Sequence, residues 1–283
     1  MNTSAATQSL IAASPFCFSG CDPWVAYAYL SRAGVRYVEV PALAPSMGPK
    51  HGLTTFSPEA MDDADIEAFL ARLHDLRLEP ITVTAMCHLD NPREIRALRR
   101  RVDFAQALGC RYVITDSTEQ ENSSEARGQV IVALREMADY ASERGVQLAL
   151  ETHAGPTRNG RLAQQFLDEV AHPNVGFNYD TGNILYYNDG VDPAEDIAHV
   201  ADRVVHVHLK DTQGGKEEWK FCALGEGRVN FPAILKTLNA AGFNGPYSLE
   251  IEGLAGEDLN RQGYLRRVQK SLEYLHTIGL ASV

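Results

Sequence analysis

Residues 204–211 read VVHVHLKD, an apolar strand that runs into two histidines two apart and then into a lysine and an aspartate. Successive strand side chains point to opposite faces, so Val204, His206 and His208 share one face. Charge-capable groups at the end of an apolar strand need partners, because burying them unpaired costs several kcal/mol. Three other stretches end in the same way: residues 146–151 read VQLALE, 175–180 read VGFNYD and 247–250 read YSLE. Together they offer one metal-capable side chain per strand: Glu151, Asp180, His208 and Glu250.

Outward from these four strands the chain keeps alternating short apolar segments with longer helical ones. The spacing predicts strands at 17–20, 36–41, 81–86, 112–116, 147–151, 175–180, 204–209 and 247–251. Between them lie helical patterns. Leu98, Val102, Ala105 and Leu108 recur at helical spacing, with Asn91 as cap, Pro92 in the first turn and Gly109 at the end. Leu265, Val268, Leu272 and Leu275 mark the last helix; Asn230 and Pro232 open another that Gly242 closes.

Strands separated by helical crossovers form a parallel sheet, and a continuously apolar strand such as VQLAL is covered on both faces. Eight such units in 283 residues fit a closed (β/α)8 TIM barrel. An open doubly wound sheet would carry a glycine-rich phosphate turn after its first strand, and PFCFSGCDPW has no GxGxxG. No linker rich in Pro, Gly or Ser divides the chain, so residues 1–283 are expected to form a single barrel domain, with 1–14 as a flexible or extended tail. The long connections at 42–58 and 212–228 fall at C-terminal strand ends, where barrel enzymes place their active sites.

A net charge of −11 makes nucleic acid an unfavourable partner. The compact basic run Arg99–Arg100–Arg101 is read as a solvated helix face. No apolar run nears the roughly 20 residues that cross a bilayer, and residues 1–16 lack the features of a secretory leader. Five cysteines without a CxxC pair indicate reduced thiols in a cytoplasm, with Cys17, Cys87 and Cys110 as packing residues.

Three carboxylates and an imidazole suit a divalent ion that accepts hard oxygen ligands. Mn2+ or Mg2+ is expected, and the histidine keeps Co2+, Zn2+ and Fe2+ open. Such an ion would polarise a carbonyl and an adjacent hydroxyl and acidify the C–H between them. A glutamate on each side could then remove and return that proton. Three negative ligands against a divalent cation favour a neutral polyol or keto-sugar. His206 is an alternative ligand to His208.

The blocks LETH (150–153), YDTGN (179–183), HVHLKDT (206–212), GEGRVNF (225–231) and SLEIEG (248–253) resemble the sugar phosphate isomerase/epimerase superfamily of xylose-isomerase-like TIM barrels. That superfamily includes L-ribulose-5-phosphate 3-epimerases and inosose dehydratases. The resemblance implies that Glu151, Asp180, His208 and Glu250 are the metal ligands, and that Glu151 and Glu250 also transfer the proton. It implies isomerisation or epimerisation of a keto-sugar or sugar phosphate through an enediolate. The other activity within the resemblance is a lyase that dehydrates a keto-cyclitol or cleaves a 3-keto sugar by β-elimination. It also implies a homodimer or homotetramer.

The sequence departs from parts of that pattern. Asn183 stands where many members have histidine, and Thr157 where free-ketose 3-epimerases place a substrate-binding glutamate. The expected substrate contacts are His88, His153, Asn183, His206, Lys210, Glu39 and Arg158. Lys210 is placed either to neutralise an oxyanion or to pair with Asp211. Lys216 lies with Arg158 on rim loops, where the pair is read as a phosphate contact. Trp219, Phe221, Tyr186 and Tyr187 are read as an apolar wall or a subunit contact, and the glycines of GEGR as tight turns.

Overall fold

The computed structural model describes residues 10–43, 55–118, 124–257 and 259–280. Its strands are β1 (Ile11–Ala13), β2 (Tyr37–Pro41), β3 (Glu79–Thr84), β4 (Tyr112–Thr115), β5 (Gln147–Glu151) and β6 (Val175–Asp180). They continue with β7 (Val204–Leu209), β8 (Asp211–Thr212), β9 (Lys220–Cys222), β10 (Tyr247–Leu249) and β11 (Gly253–Leu254). Strands β1 to β7 and β10 close a barrel in that order, and every pairing in it is parallel. The (β/α)8 barrel is thus the architecture of the chain.

Helices form where the apolar spacing placed them. Asn91 accepts a hydrogen bond from Arg93 N at 3.0 Å and starts the helix Pro92–Ala107, which buries Leu98, Val102 and Ala105 against the barrel. Asn230 caps Phe231–Ala240 through Ala233 N. The final helix Arg261–Thr277 buries Leu265, Val268 and Leu275. Arg99 and Arg100 are exposed, but Arg101 is buried; its guanidinium donates to Cys87 Sγ and faces Glu59, so the basic run is not wholly a solvated face.

The first strand lies elsewhere than its apolar pattern predicts. Residues 15–18 are a 3-10 turn, opened by Pro15 and by Ser14 Oγ, which accepts from Phe16 N. The strand is Ile-Ala-Ala at 11–13, within the segment expected to be a tail. Ala12 pairs with both Ser248 and Tyr37, so this short strand closes the cylinder. Three residues with two alanines carry little strand preference of their own, and their conformation comes from the partners on either side.

Above the C-terminal rim, β8, β9 and β11 form a small antiparallel sheet out of the connections that follow β7 and β10. Asp211 organises it: its carboxylate accepts from the backbone N–H of Thr212, Gly225, Gly227 and Val229 at 2.9–3.1 Å. The glycines of GEGR therefore serve an aspartate clamp. A Cβ on Gly227 would stand 2.1 Å from Asp211 Oδ1, which excludes any other residue there.

Candidate active site

Because all eight barrel strands run the same way, their carboxyl ends meet at one rim. Alternation then decides which side chains enter the lumen. Asn178 and Asp180 on β6 lie level with His206 and His208 on β7, Glu151 is level with Asn178, and His208 is level with Ser248. The result is two layers. His206 lies in the lower one, fully buried, with Nδ1 2.8 Å from Asn178 Oδ1 and Nε2 3.2 Å from Ser248 Oγ. Burial holds its pKa down at about 3, so it is a neutral hydrogen-bonded core residue.

In the upper layer, ligand-capable atoms of Glu151, Asp180, His208 and Glu250 all lie within 4.8 Å of one another, and all four residues are buried. His208 Nδ1 is 3.2 Å from Glu151 Oε1, 3.5 Å from Glu250 Oε2 and 3.7 Å from Asp180 Oδ2. Its other nitrogen, Nε2, lies 3.1 Å from Glu39 Oε2, and Glu39 Oε1 accepts from Thr84 Oγ1 at 2.6 Å. Glu39 thus orients the imidazole from below and leaves Nδ1 toward the carboxylates, the arrangement usual around a metal-binding histidine. Asp180 Oδ1 accepts from Gly182 N and Asn183 N, which leaves Oδ2 for the cluster.

Crowding of carboxylates sets the protonation states. Burial works against charge on His208, but Glu250, Glu39 and Glu151 outweigh it and raise its pKa well above the usual value. Glu39 responds in kind: burial opposes its charge, yet the charge of His208 and hydrogen bonds from His208 and Thr84 bring its pKa down to about 2. At Asp180 burial is likewise overcome, by Lys210 and His208, and its pKa falls to about 2. Glu250 goes the other way, because burial outweighs Lys210 and His208 and raises it. The ammonium of Lys210 is packed 2.6 Å from Glu250 Oε2, 2.7 Å from Glu252 Oε2 and 3.1 Å from Asp180 Oδ2, and lies over the ring of Phe221. Lys210 therefore does not pair with Asp211. A Cβ on Gly182 would come within 2.6 Å of the lysine stem, so that glycine makes room for it.

This donor set fits a divalent cation. Three carboxylates and one imidazole converge at coordinating separations, and neither Asp180 Oδ2 nor Glu250 Oε2 receives an aligned hydrogen bond among the described residues. A buried cluster so rich in negative charge is stable only when cations neutralise it.

Over the cluster opens a cavity of about 140 Å³. Of the residues singled out from the sequence, Glu151, Glu250, His88, His153, Asn183 and Lys210 line it, as do Tyr186, Tyr187 and Trp219. Glu39 and His206 lie beneath it. Arg158 and Lys216 are not among its lining residues. The aromatic wall is continuous: Tyr186 packs against Tyr187, Trp219 and Phe221 with ring centroids 5.0–6.0 Å apart. Phe221 is buried behind it and supports Lys210.

Several lining residues were not foreseen. Glu252 follows Glu250 in strand phase and anchors Lys210. Phe16, Leu43 and Met86 form a small apolar cluster at the mouth, apart from the main core. Asp116, at the end of β4, is 1% exposed and faces both cavity histidines: its Oδ2 is 3.2 Å from His153 Nδ1 and 3.8 Å from His88 Nδ1. A signal for it existed, since YVITD ends in a carboxylate as VQLALE, VGFNYD and YSLE do.

Residues 27–276 match the xylose isomerase-like TIM barrel family. The chain belongs to that family. Within it, the chain is 29% identical over 168 residues to the L-ribulose-5-phosphate 3-epimerase of Escherichia coli, and that alignment spans 58% of each protein. Among solved structures, a xylose isomerase-like TIM barrel protein from Mycobacterium smegmatis in complex with magnesium superimposes with a TM-score of 0.77 at 19% identity, over 99% of both chains. The D-allulose 3-epimerase of a Methylomonas species in complex with D-allulose gives 0.72 at 20% identity, over 95% of this chain and 97% of that one. No described helix is long and apolar enough to cross a membrane.

Proposed function

We propose that the protein is a divalent-metal-dependent isomerase or epimerase of a keto-sugar. The observation that carries this reading is the placement of Glu151 and Glu250. Glu151 ends β5 and Glu250 directly follows β10, strands separated around the barrel by β6 and β7, and both line the cavity over a single ion-capable cluster. Glu151, Asp180, His208 and Glu250 would hold the ion, with Mn2+ preferred and Mg2+, Co2+ or Zn2+ acceptable to the same donors. When bound, the ion supplies Lewis acidity that acidifies a C–H between a carbonyl and a hydroxyl.

The remaining work belongs to side chains. One glutamate takes the proton from one face of the sugar carbon, giving an enediolate, and the other returns a proton to the opposite face. Lys210 borders Glu250 and Asn183 borders Lys210, both placed to hold substrate oxygens, His88 and His153 do so from the β3 and β5 side, and Tyr187 and Trp219 shield the reacting carbon from water. The charges favour an unphosphorylated substrate: Asp116, Glu151, Glu250 and Glu252 face the cavity, and the Lys210 ammonium is already shared among three carboxylates. Net charge −11 disfavours nucleic acid. A single-domain cytoplasmic enzyme acting as a homodimer or homotetramer completes the reading.

The test is a screen of ketoses and keto-cyclitols with Mn2+-loaded protein in deuterated water, read by mass. One deuterium gained at one carbon, with no loss of mass and with turnover abolished in Glu151→Gln and Glu250→Gln, is the expected result. Exchange that persists in both variants would overturn it. A second reading, elimination from a keto-cyclitol or 3-keto sugar, draws support from the His88 and His153 bank, which could protonate a departing oxygen. Its product would be lighter by one water or one aglycone.

A further inference from the structure

We infer that Glu94 and Arg101 are positioning residues: together they grip the turn after β3 and hold Met86 and His88 against the cavity. The inference rests on the reading of this cavity as a sugar-transforming site, and it assigns a role to two charged side chains that the ion cluster leaves unused. Both lie on the helix Pro92–Ala107, seven residues apart, so they project from one face about two turns from each other. Leu98, between them at helical spacing, is buried on that face.

Arg101 gives the stronger signal. Its neighbours Arg99 and Arg100 are exposed, whereas Arg101 is only 2% exposed. A guanidinium buried so deeply costs free energy that a leucine in its place would not, and one ion pair at 3.8 Å to the partly exposed Glu59 offsets little of it. The guanidinium instead donates to Cys87 Sγ, in the residue between Met86 and His88. Cys87 is itself buried, and burial pushes its pKa up to about 11, so the guanidinium meets a neutral thiol.

Glu94 takes the next residue along. Its Oε2 accepts from the backbone N–H of His88 at 2.6 Å, and its Oε1 accepts from Asn91 Nδ2 at 3.1 Å. A carboxylate on a backbone N–H makes a stronger hydrogen bond than a neutral acceptor does. Beyond it, Leu89 N donates to Ser117 O at 2.9 Å and ties the turn to the segment after β4. Cys87, His88 and Leu89 are thus each held by a different partner, while Met86 and His88 line the cavity. Neither Glu94 nor Arg101 lines it, so any effect of theirs on turnover passes through the turn.

The thiol of Cys87 reports the grip whether or not a substrate is known. Mg2+-loaded protein is treated with iodoacetamide under native conditions, and each cysteine is followed by peptide mass spectrometry. In Arg101→Met and in Glu94→Ala, Cys87 should be alkylated at least about tenfold faster than in the native protein, through local opening of the turn. Cys17 and Cys110, buried elsewhere, should keep their native rates, which a general loosening of the fold would not allow. Arg101→Lys, which keeps a donor, should restore most of the protection. Glu94→Ala removes only a part-buried side chain and decides the matter if Arg101→Met does not fold. Once a substrate is in hand, kcat/KM of the variants should fall about tenfold, chiefly through KM, because Glu151 and Glu250 stay in place. Native alkylation of Cys87 in Glu94→Ala, exposure of Cys87 only together with Cys17 and Cys110, or selective exposure with native kcat/KM would overturn the inference. Failure of the sugar screen alone would count against the proposed reaction and leave the alkylation to decide on the grip.

Discussion

His208 is committed at both ring nitrogens, to Glu39 on one side and to three carboxylates on the other. Those carboxylates outweigh burial and raise its pKa, so without an ion the ring holds a proton at neutral pH. An ion at Nδ1 requires the neutral ring. Ion uptake should therefore release a proton, and affinity should fall by about tenfold for each pH unit below the raised value. Titration calorimetry with Mn2+ in two buffers of different ionisation enthalpy measures that release directly. Uptake with no proton released, and with affinity flat across the acidic range, would show that His208 is not a ligand.

The connection between β7 and the helix Phe231–Ala240 shows how a single side chain shapes an element. Residues 211–218 carry no apolar side chain, so the burial of Phe221–Leu224 alone would not order that half of the connection. Asp211 orders them with four backbone hydrogen bonds, and the resulting sheet holds Trp219 over the cavity and Phe221 under Lys210. Asp211→Ala is expected to cost about 2 kcal/mol of stability, because partly buried N–H groups lose their acceptor. Hydrogen exchange should quicken at Gly225, Gly227 and Val229 while the barrel strands stay protected. A variant whose amides at those three positions exchange at the native rate would show that the turn holds itself.

The whole barrel depends on its shortest strand for closure. Ala12 pairs with Ser248 on one side and Tyr37 on the other, and neither side is an edge. Proline there removes a backbone donor with no solvent-facing side to absorb the loss. Ala12→Pro should lower stability by at least about 3 kcal/mol. Urea unfolding checks this, and a midpoint equal to that of the native protein would mean that β10 and β2 close the cylinder without β1. Closure matters to the site because Glu250 leaves β10 and Glu39 lies on β2, the two strands that flank β1.

That Glu151, Asp180, His208 and Glu250 would converge was legible in the sequence, and for a simple reason. In a parallel barrel every strand ends at one rim, so alternation along each strand and the position of its last residue suffice to place Glu151, Asp180, His208 and Glu250 together. The helices Pro92–Ala107 and Phe231–Ala240 were legible too, since caps and apolar spacing are local. What tertiary structure alone decided is non-local. Ile-Ala-Ala became a strand because two neighbours pair with it, while Phe16–Cys17–Phe18, apolar enough to be one, was turned by Ser14 and Pro15. Lys210 was drawn to Asp180, Glu250 and Glu252 rather than to its neighbour Asp211. Asp116 found its histidines after β5 and after β3, and nothing short of the folded rim could show which of many carboxylates would meet them.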